Sequence, residues 1–257
     1  MPLIKIKSAS RVVEILELLA DARHGMKHKD IAEALTIPKG SLTKLLANLV
    51  DSRYLMLDSA SRVYKLGSRV LALADSYLSS LDIVQTAQPI VRNLVEKTGE
   101  SCSLAVPDGN FALVVHRQYG NQPMSYRLGI GARIPLYATA SGKAILAFLS
   151  KEDIERYLSK EELRPLTQAT ITDPAILLGE LAAVRAEHLA YSRQERFEGL
   201  SAMAAPVFRM DGSVGASIAL IYLNVRSGLV DSSDAKDALR EASAELSKCL
   251  GFQEKRR

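Results

Sequence analysis

The chain has 257 residues, of which 47% are hydrophobic and 24% charged, and a net charge of +4 at pH 7. This composition excludes a disordered polyelectrolyte, and no run approaches the ~18 apolar residues of a membrane span. Two cysteines, Cys102 and Cys249, exclude a disulfide framework and fit a cytoplasmic protein.

The opening "MPLIKIKSAS" lacks the apolar stretch of a signal peptide. Residues 1–75 hold 12 Lys/Arg against 8 Asp/Glu, whereas the remainder holds 21 of each. The excess therefore sits in the first third, where an anionic partner is expected.

In chain order, apolar residues recur at helical spacing from Ala9 to Ala20. A gap with Gly25 follows, then a short helix from His28 to Leu35. A third helix is predicted from about Pro38 to Ser52, with Pro38 at its first position, where a missing N–H loses nothing. "YLMLD" and "RVYKL" read as two strands joined by "SAS". Gly67–Asp82 is helical and joins the two halves, and Val84–Lys97 is helical up to Gly99.

Beyond Gly99, strands are predicted near Ser101–Val106, Phe111–Gln118, Arg133–Leu136, Ala190–Arg193, Gly199–Val207 and Val214–Leu223. Helices are predicted near Ala140–Leu149, Lys151–Leu158, Pro174–His188 and from about Ser232 to Leu250. Asp108-Gly109 and Asp211-Gly212 mark hairpins. Strands joined by tight turns favour a mainly antiparallel sheet, so the fold class is α+β rather than doubly wound.

The third helix carries a leucine stripe, Leu42, Leu45, Leu46 and Leu49, that one face must bury. The other face shows Gly40, Lys44, Ala47 and Asn48, flanked by Ser41 and Thr43, with Lys39 in the first turn and no carboxylate before Asp51. Lysines neutralise phosphates, and hydroxyls and amides read base edges. A short helix, a tight turn and this helix make a helix-turn-helix, and the two strands, with Arg53, Arg62 and Lys65, make a wing. A plain three-helix bundle with a solvated face would look similar along the helix alone. The wing, the localised charge and the missing acids favour DNA.

Catalytic and metal chemistry is not expected. "ASGKA" (Ala140–Ala144) resembles a phosphate loop, but Tyr137 stands where the first glycine is needed and Ala144 where Ser/Thr is needed. Ser141 and Lys143, two apart on a helix, diverge. His24, His28, His116 and His188 lack metal-ligand spacing, and no G-x-S-x-G motif is present.

Three blocks, in order, resemble the IclR family of bacterial transcription regulators. They are "SASRVVEILELL" with "DIAEALTIPKGSLTKLLANLVDSRYL" and "YKLGSRVLALA", then "GARIPLYATASGKAILAFL", then "EGLSAMAAPVFRMDGSVGASIAL". The resemblance implies a winged helix over residues 1–66, a linker helix over 67–83 that helps dimerise, and a GAF-like effector-binding domain over 84–257. It implies no cofactor, binding to double-stranded operator DNA as a homodimer or a dimer of dimers, and control by a small organic acid.

Carried over residue by residue, the DNA contacts would be Lys39, Gly40, Ser41, Thr43, Lys44 and Asn48, with Ser59, Ser61 and Arg62 in the wing. Gly40 replaces the serine more usual there. The effector positions would be Tyr126, Ala140, Ser141, Ser192, Ala202, Ala219 and Ile221. The family often has Cys at the position of Ala202, and it can have Asp at Ser192 and serines at Ala219 and Ile221. An apolar pocket is therefore expected, with hydrogen bonds from Ser192, Ser141 or Tyr126, and with Arg127 or Arg133 as a carboxylate partner. Such a pocket suits a ring or a short alkyl acid better than a small polyhydroxy acid, and an aromatic or hydroxy-aromatic acid is the expected effector. The rival reading is a small-molecule sensor whose winged helix serves protein–protein contact.

Overall fold

The computed structural model describes residues 6–22, 24–79, 82–121, 129–230 and 233–253. The chain divides into two compact units, with the boundary at residues 80 and 81.

The N-terminal unit runs α1 (Lys7–Asp21), β1 (Met26–Lys27), α2 (His28–Ala34), α3 (Lys39–Asp51), β2 (Leu55–Asp58), β3 (Val63–Leu66) and α4 (Ser68–Ser79). The leucine stripe of α3 packs as its spacing requires. Leu42, Leu46 and Leu49 join Ile15, Leu19, Ile31, Ile37 and Leu55 in one core, with Leu45 partly buried against it. Pro38 stands one place earlier than expected, at the N-cap with φ −56° and ψ 132°, and Lys39 is the first helical residue. Extended backbone suits proline equally well there, and the cap position needs no intrahelical N–H.

Strand β1 has no counterpart in the sequence reading. Its two residues pair antiparallel with β3, giving the strand order β1-β3-β2. Gly25 makes this possible. Its φ is +75°, and a Cβ there would overlap the Tyr64 carbonyl. Helix α4 leaves Leu71 73% exposed, with Leu73 and Tyr77 also exposed.

The C-terminal unit runs α5 (Asp82–Thr98), β4 (Ser101–Asp108), β5 (Phe111–Gln118), β6 (Arg133–Pro135), α6 (Ala140–Leu146), α7 (Lys151–Lys160), α8 (Pro174–Glu187), β7 (Ala190–Arg193), β8 (Leu200–Phe208), β9 (Val214–Leu223), the short α9 (Ser227–Val230) and α10 (Ser233–Cys249). Six antiparallel strands lie in the order β6-β5-β4-β9-β8-β7. The β4–β5 and β8–β9 hairpins turn at the expected Asp-Gly pairs, with Gly109 and Gly212 at positive φ.

The register decides what each face of the sheet holds. Ser103 pairs with Ala219, Ala204 with Ala219, and Ala202 with Ile221, so small residues from three adjacent strands share one face. Leu104, Met203, Ile218 and Leu220 alternate with them, are buried, and face the other way. The large residues meet α5 and α10, which pack on each other and on the sheet. The small-residue face meets α6 and α8 and has room to spare.

Candidate functional site

Two surfaces carry the chemistry. The first is the outer face of α3, where Lys39, Gly40, Thr43, Lys44 and Asn48 are exposed and Ser41 is half-buried. Neither Lys39 nor Lys44 has a carboxylate partner among the described residues.

The two hydroxyls are held by residues on other helices. Arg11 of α1 donates to Ser41 Oγ at 3.4 Å. Thr43 Oγ1 donates to the Lys39 carbonyl at 2.9 Å and lies 3.0 Å from His28 Nε2. With the hydroxyl proton committed to Lys39, the imidazole must be the donor, which fixes the Nε2–H tautomer of His28. Ser41 keeps a proton to donate. Thr43 retains acceptor capacity alone, which suits the amino groups of adenine or cytosine rather than a phosphate.

The wing turn between β2 and β3 is closed by Asp58. Its carboxylate accepts from the Ser61 hydroxyl at 2.7 Å and from the Ala60 amide at 3.0 Å. These bonds, the Ser61 hydroxyl first, hold the Asp58 carboxyl below its ordinary range. Ser61 thus braces the turn, leaving its oxygen no proton for a phosphate. Ser59 and Arg62 stay exposed, Arg62 at φ +57°.

The second surface is a partly enclosed cavity on the small-residue face of the sheet. Ala140, Ser141, Ser192, Ala202, Ala219 and Ile221 all line it, and Tyr126 lies outside the described residues. Ser103, Ile134, Thr139, Arg196, Phe197, Leu200 and Ser201 complete the lining, which is mostly apolar.

Three of the five hydroxyls are committed elsewhere. Thr139 Oγ1 caps α6 by accepting from the Gly142 amide, Ser192 donates to the Ala138 carbonyl, and Ser201 donates to Asn224 Oδ1. The Ser103 and Ser141 hydroxyls have no partner among the described residues. The expected role of Ser192 as a donor to ligand is therefore not available in this arrangement, while that of Ser141 is. Arg133, expected as a carboxylate partner, is exposed and pairs with Asp108 at 2.7 Å; Arg127 lies outside the described residues. The charged residue that does line the cavity is Arg196, from the β7–β8 connection.

A family profile described as bacterial transcriptional regulator IclR C-terminal matches residues 75–248, and one described as IclR helix-turn-helix domain matches residues 8–59. The chain belongs to the IclR family.

Among IclR relatives, the HTH-type transcriptional regulator BhcR of Paracoccus denitrificans is 29% identical, over 94% of this chain and 86% of its own. A solved transcriptional regulator from Rhodococcus is 31% identical, with a TM-score of 0.85 over 96% of this chain and 98% of that one. An IclR homologue from Microbacterium hydrocarbonoxydans, solved in complex with 4-hydroxybenzoate, shares the fold with a TM-score of 0.81 at 24% identity, over 95% of this chain and 98% of that one. The chain is thus an IclR transcriptional regulator, with a helix-turn-helix domain and an effector-binding domain, and not an enzyme.

Among the described residues, no cluster of His, Cys, Asp or Glu is suited to a metal, and no helix is long and apolar enough to cross a membrane. Burial pushes the Cys102 thiol up to about 12, which removes it as a nucleophile. Five residues of this IclR chain carried no signal in the sequence: Arg11 and His28, which orient the α3 hydroxyls, and Ser103, Arg196 and Phe197 in the cavity. Each acts across elements or from a loop, where periodicity says nothing.

Proposed function

We propose that two copies of this regulator bind a palindromic or repeated operator, with α3 of each in successive major grooves about 34 Å apart. We propose further that a small aromatic or hydroxy-aromatic acid in the C-terminal cavity controls that binding, in the cytoplasm, over a catabolic operon. The exposed apolar side chains of α4, Leu71, Leu73 and Tyr77, supply a surface for self-association.

The observation that carries the effector reading is the lining itself. The mostly apolar cavity has Arg196 as its one charged member among the described lining residues, with the open Ser103 and Ser141 hydroxyls. A ring fits the apolar walls, a carboxylate suits the guanidinium, and a ring hydroxyl suits the serines. The 4-hydroxybenzoate complex of the Microbacterium protein speaks to fold alone at its identity, so the ligand class rests on these residues. A ligand acts on DNA affinity by binding one arrangement of the dimer better than another.

Thermal unfolding in the presence of benzoates and of sugar acids tests the reading. Benzoates should raise the melting temperature, by about 2.7 kcal/mol of stabilisation at 100 times Kd, and Arg196→Ala should remove the effect. Stabilisation by sugar acids alone would reject an aromatic effector.

On the DNA side, Lys44→Ala should weaken binding to every sequence alike and lower the salt slope by about one. An unchanged slope would remove Lys44 from the phosphate contacts. Gly40 offers a second, opposite-signed test. An added Cβ there would meet nothing within 4 Å, so neither packing nor backbone conformation requires glycine. Gly40→Ala should stabilise α3 by about 1 kcal/mol, yet weaken binding to the upstream DNA if the duplex approaches that closely. Higher stability with undiminished affinity would show that no close approach occurs at residue 40.

A further inference from the structure

The bulkiest wholly buried side chain is a charged one, Lys143, 1% exposed. It lies in α6, just after the cavity-lining Thr139, Ala140 and Ser141. Its ammonium donates to Glu195 Oε1 at 2.9 Å and to Glu180 Oε2 of α8 at 3.1 Å. Glu195 is 6% exposed and also accepts from the Arg193 amide at 3.3 Å.

Glu195 immediately precedes Arg196 and Phe197, the two residues that the β7–β8 connection adds to the cavity wall. The backbone is fastened at the same place. The Glu195 carbonyl accepts from Thr170 Oγ1 at 2.6 Å, the Gln194 carbonyl accepts from Thr167 Oγ1 at 2.7 Å, and Gln194 sits at φ +61°. Arg196 and Phe197 also line a wider neighbouring cleft bounded by Phe111, Tyr137 and Arg164. Where these two side chains stand therefore decides where the cavity ends.

Stability does not explain the pair. A buried ion pair returns little net stabilisation, because desolvation offsets the attraction. Here Glu195 Oε2 is buried with no hydrogen-bond partner, a further penalty. What the pair supplies is a fixed distance between the first turn of α6 and the 194–199 connection, the two sides from which the cavity is built.

We infer that the Lys143–Glu195 ion pair is the positioning device of the cavity, holding Arg196 and Phe197 in the place that defines its shape and hence the acids it admits. This deepens, and rests on, the reading of the cavity as the effector site. Neither Lys143 nor Glu195 touches the ligand; both act through the residues they hold.

The chain contains no tryptophan, so Phe197→Trp places a single fluorophore on the segment in the full-length protein. In that background Glu195→Ala should shift the emission to the red and raise acrylamide quenching about twofold or more, as a locally released segment would. Glu195→Asp, one methylene too short to span the same gap, should move both in the same direction. It carries the comparison if Glu195→Ala does not fold. Leu181→Ala, a core truncation in α8 of the same unit, should lower the melting temperature and leave both signals unchanged. Emission and quenching that stay at parental values in the folded Glu195 variant overturn the inference, as does an equal response to Leu181→Ala. The measurement uses no ligand, so failure of the aromatic acids in the thermal screen is a separate result.

Discussion

Leu46→Ala should unfold the N-terminal unit and abolish DNA binding while the C-terminal unit stays folded. Leu46 is 0% exposed and sits in the core that α3 forms with α1, α2 and β2. Truncating a wholly buried leucine removes about 2–5 kcal/mol, because lost transfer energy and the residual cavity add. A single core in a unit of about 80 residues supplies roughly 3–5 kcal/mol in total. The loss is therefore comparable with all that holds the unit together. Helix α3 does not survive alone, since an isolated helix of its length is marginal in water.

Among the described residues, the core that holds Leu46 draws only on the N-terminal unit. Far-ultraviolet circular dichroism should show partial loss of helix, and fluorescence anisotropy should show no binding to upstream DNA. Parental affinity in Leu46→Ala would mean that the recognition surface does not depend on this core. The contrast with Lys44→Ala is informative: one change should remove a proposed phosphate contact from an intact surface, and the other should remove the surface.

Much of this architecture is legible in the sequence because it is local. The spacing of Leu42, Leu46 and Leu49 gives α3 and its buried face, and the apolar stretch after the Asp108-Gly109 turn gives β5, Phe111–Gln118, with the bounds the structure shows. Asp108-Gly109 and Asp211-Gly212 place both hairpins.

What escapes the sequence is non-local. Strand β1 is two residues long, below any period, and exists because Gly25 lets the chain pass close to Tyr64. The cavity is a matter of register. Ser103, Ala105, Ala202, Ala204 and Ala219 are unremarkable along their own strands, and become a hollow face when three strands align them. Ala140, Ser141, Ser192, Ala202, Ala219 and Ile221 came from family resemblance rather than from any pattern in the residues. Arg196 and Phe197 sit on an irregular connection with no periodicity at all. Lys143 drew notice for a false phosphate-loop likeness, whereas its partner lies 52 residues on.

Lys143→Ala should destabilise the C-terminal unit by about 3–5 kcal/mol, the usual range when one member of a buried pair is removed. That is a large share of the 5–15 kcal/mol typical of a whole domain. The loss should depend on pH. Burial pushes the Glu195 carboxyl above its ordinary value of 4.5, against the opposing pull of the Lys143 ammonium. Over the interval above 4.5 the folded state holds the Glu195 proton more tightly than the unfolded state does, so the stability that this group contributes falls as pH rises. Removing the lysine widens the interval.

Urea unfolding should therefore show a larger penalty for Lys143→Ala at high pH than at low pH, where protonation of Glu195 relieves the unpaired buried charge. An equal penalty at both would mean that the lysine acts by its packing alone. Replacing both members with apolar side chains, Lys143→Met with Glu195→Leu, should recover most of the stability, since no buried charge remains. Glu180, partly exposed, turns to solvent. The same double variant in the Phe197→Trp background should keep the red-shifted emission, because the tether between α6 and the 194–199 connection is gone although the fold is restored. Stability and position would then separate in one molecule, as expected of a pair that shapes the cavity more than it stabilises the domain.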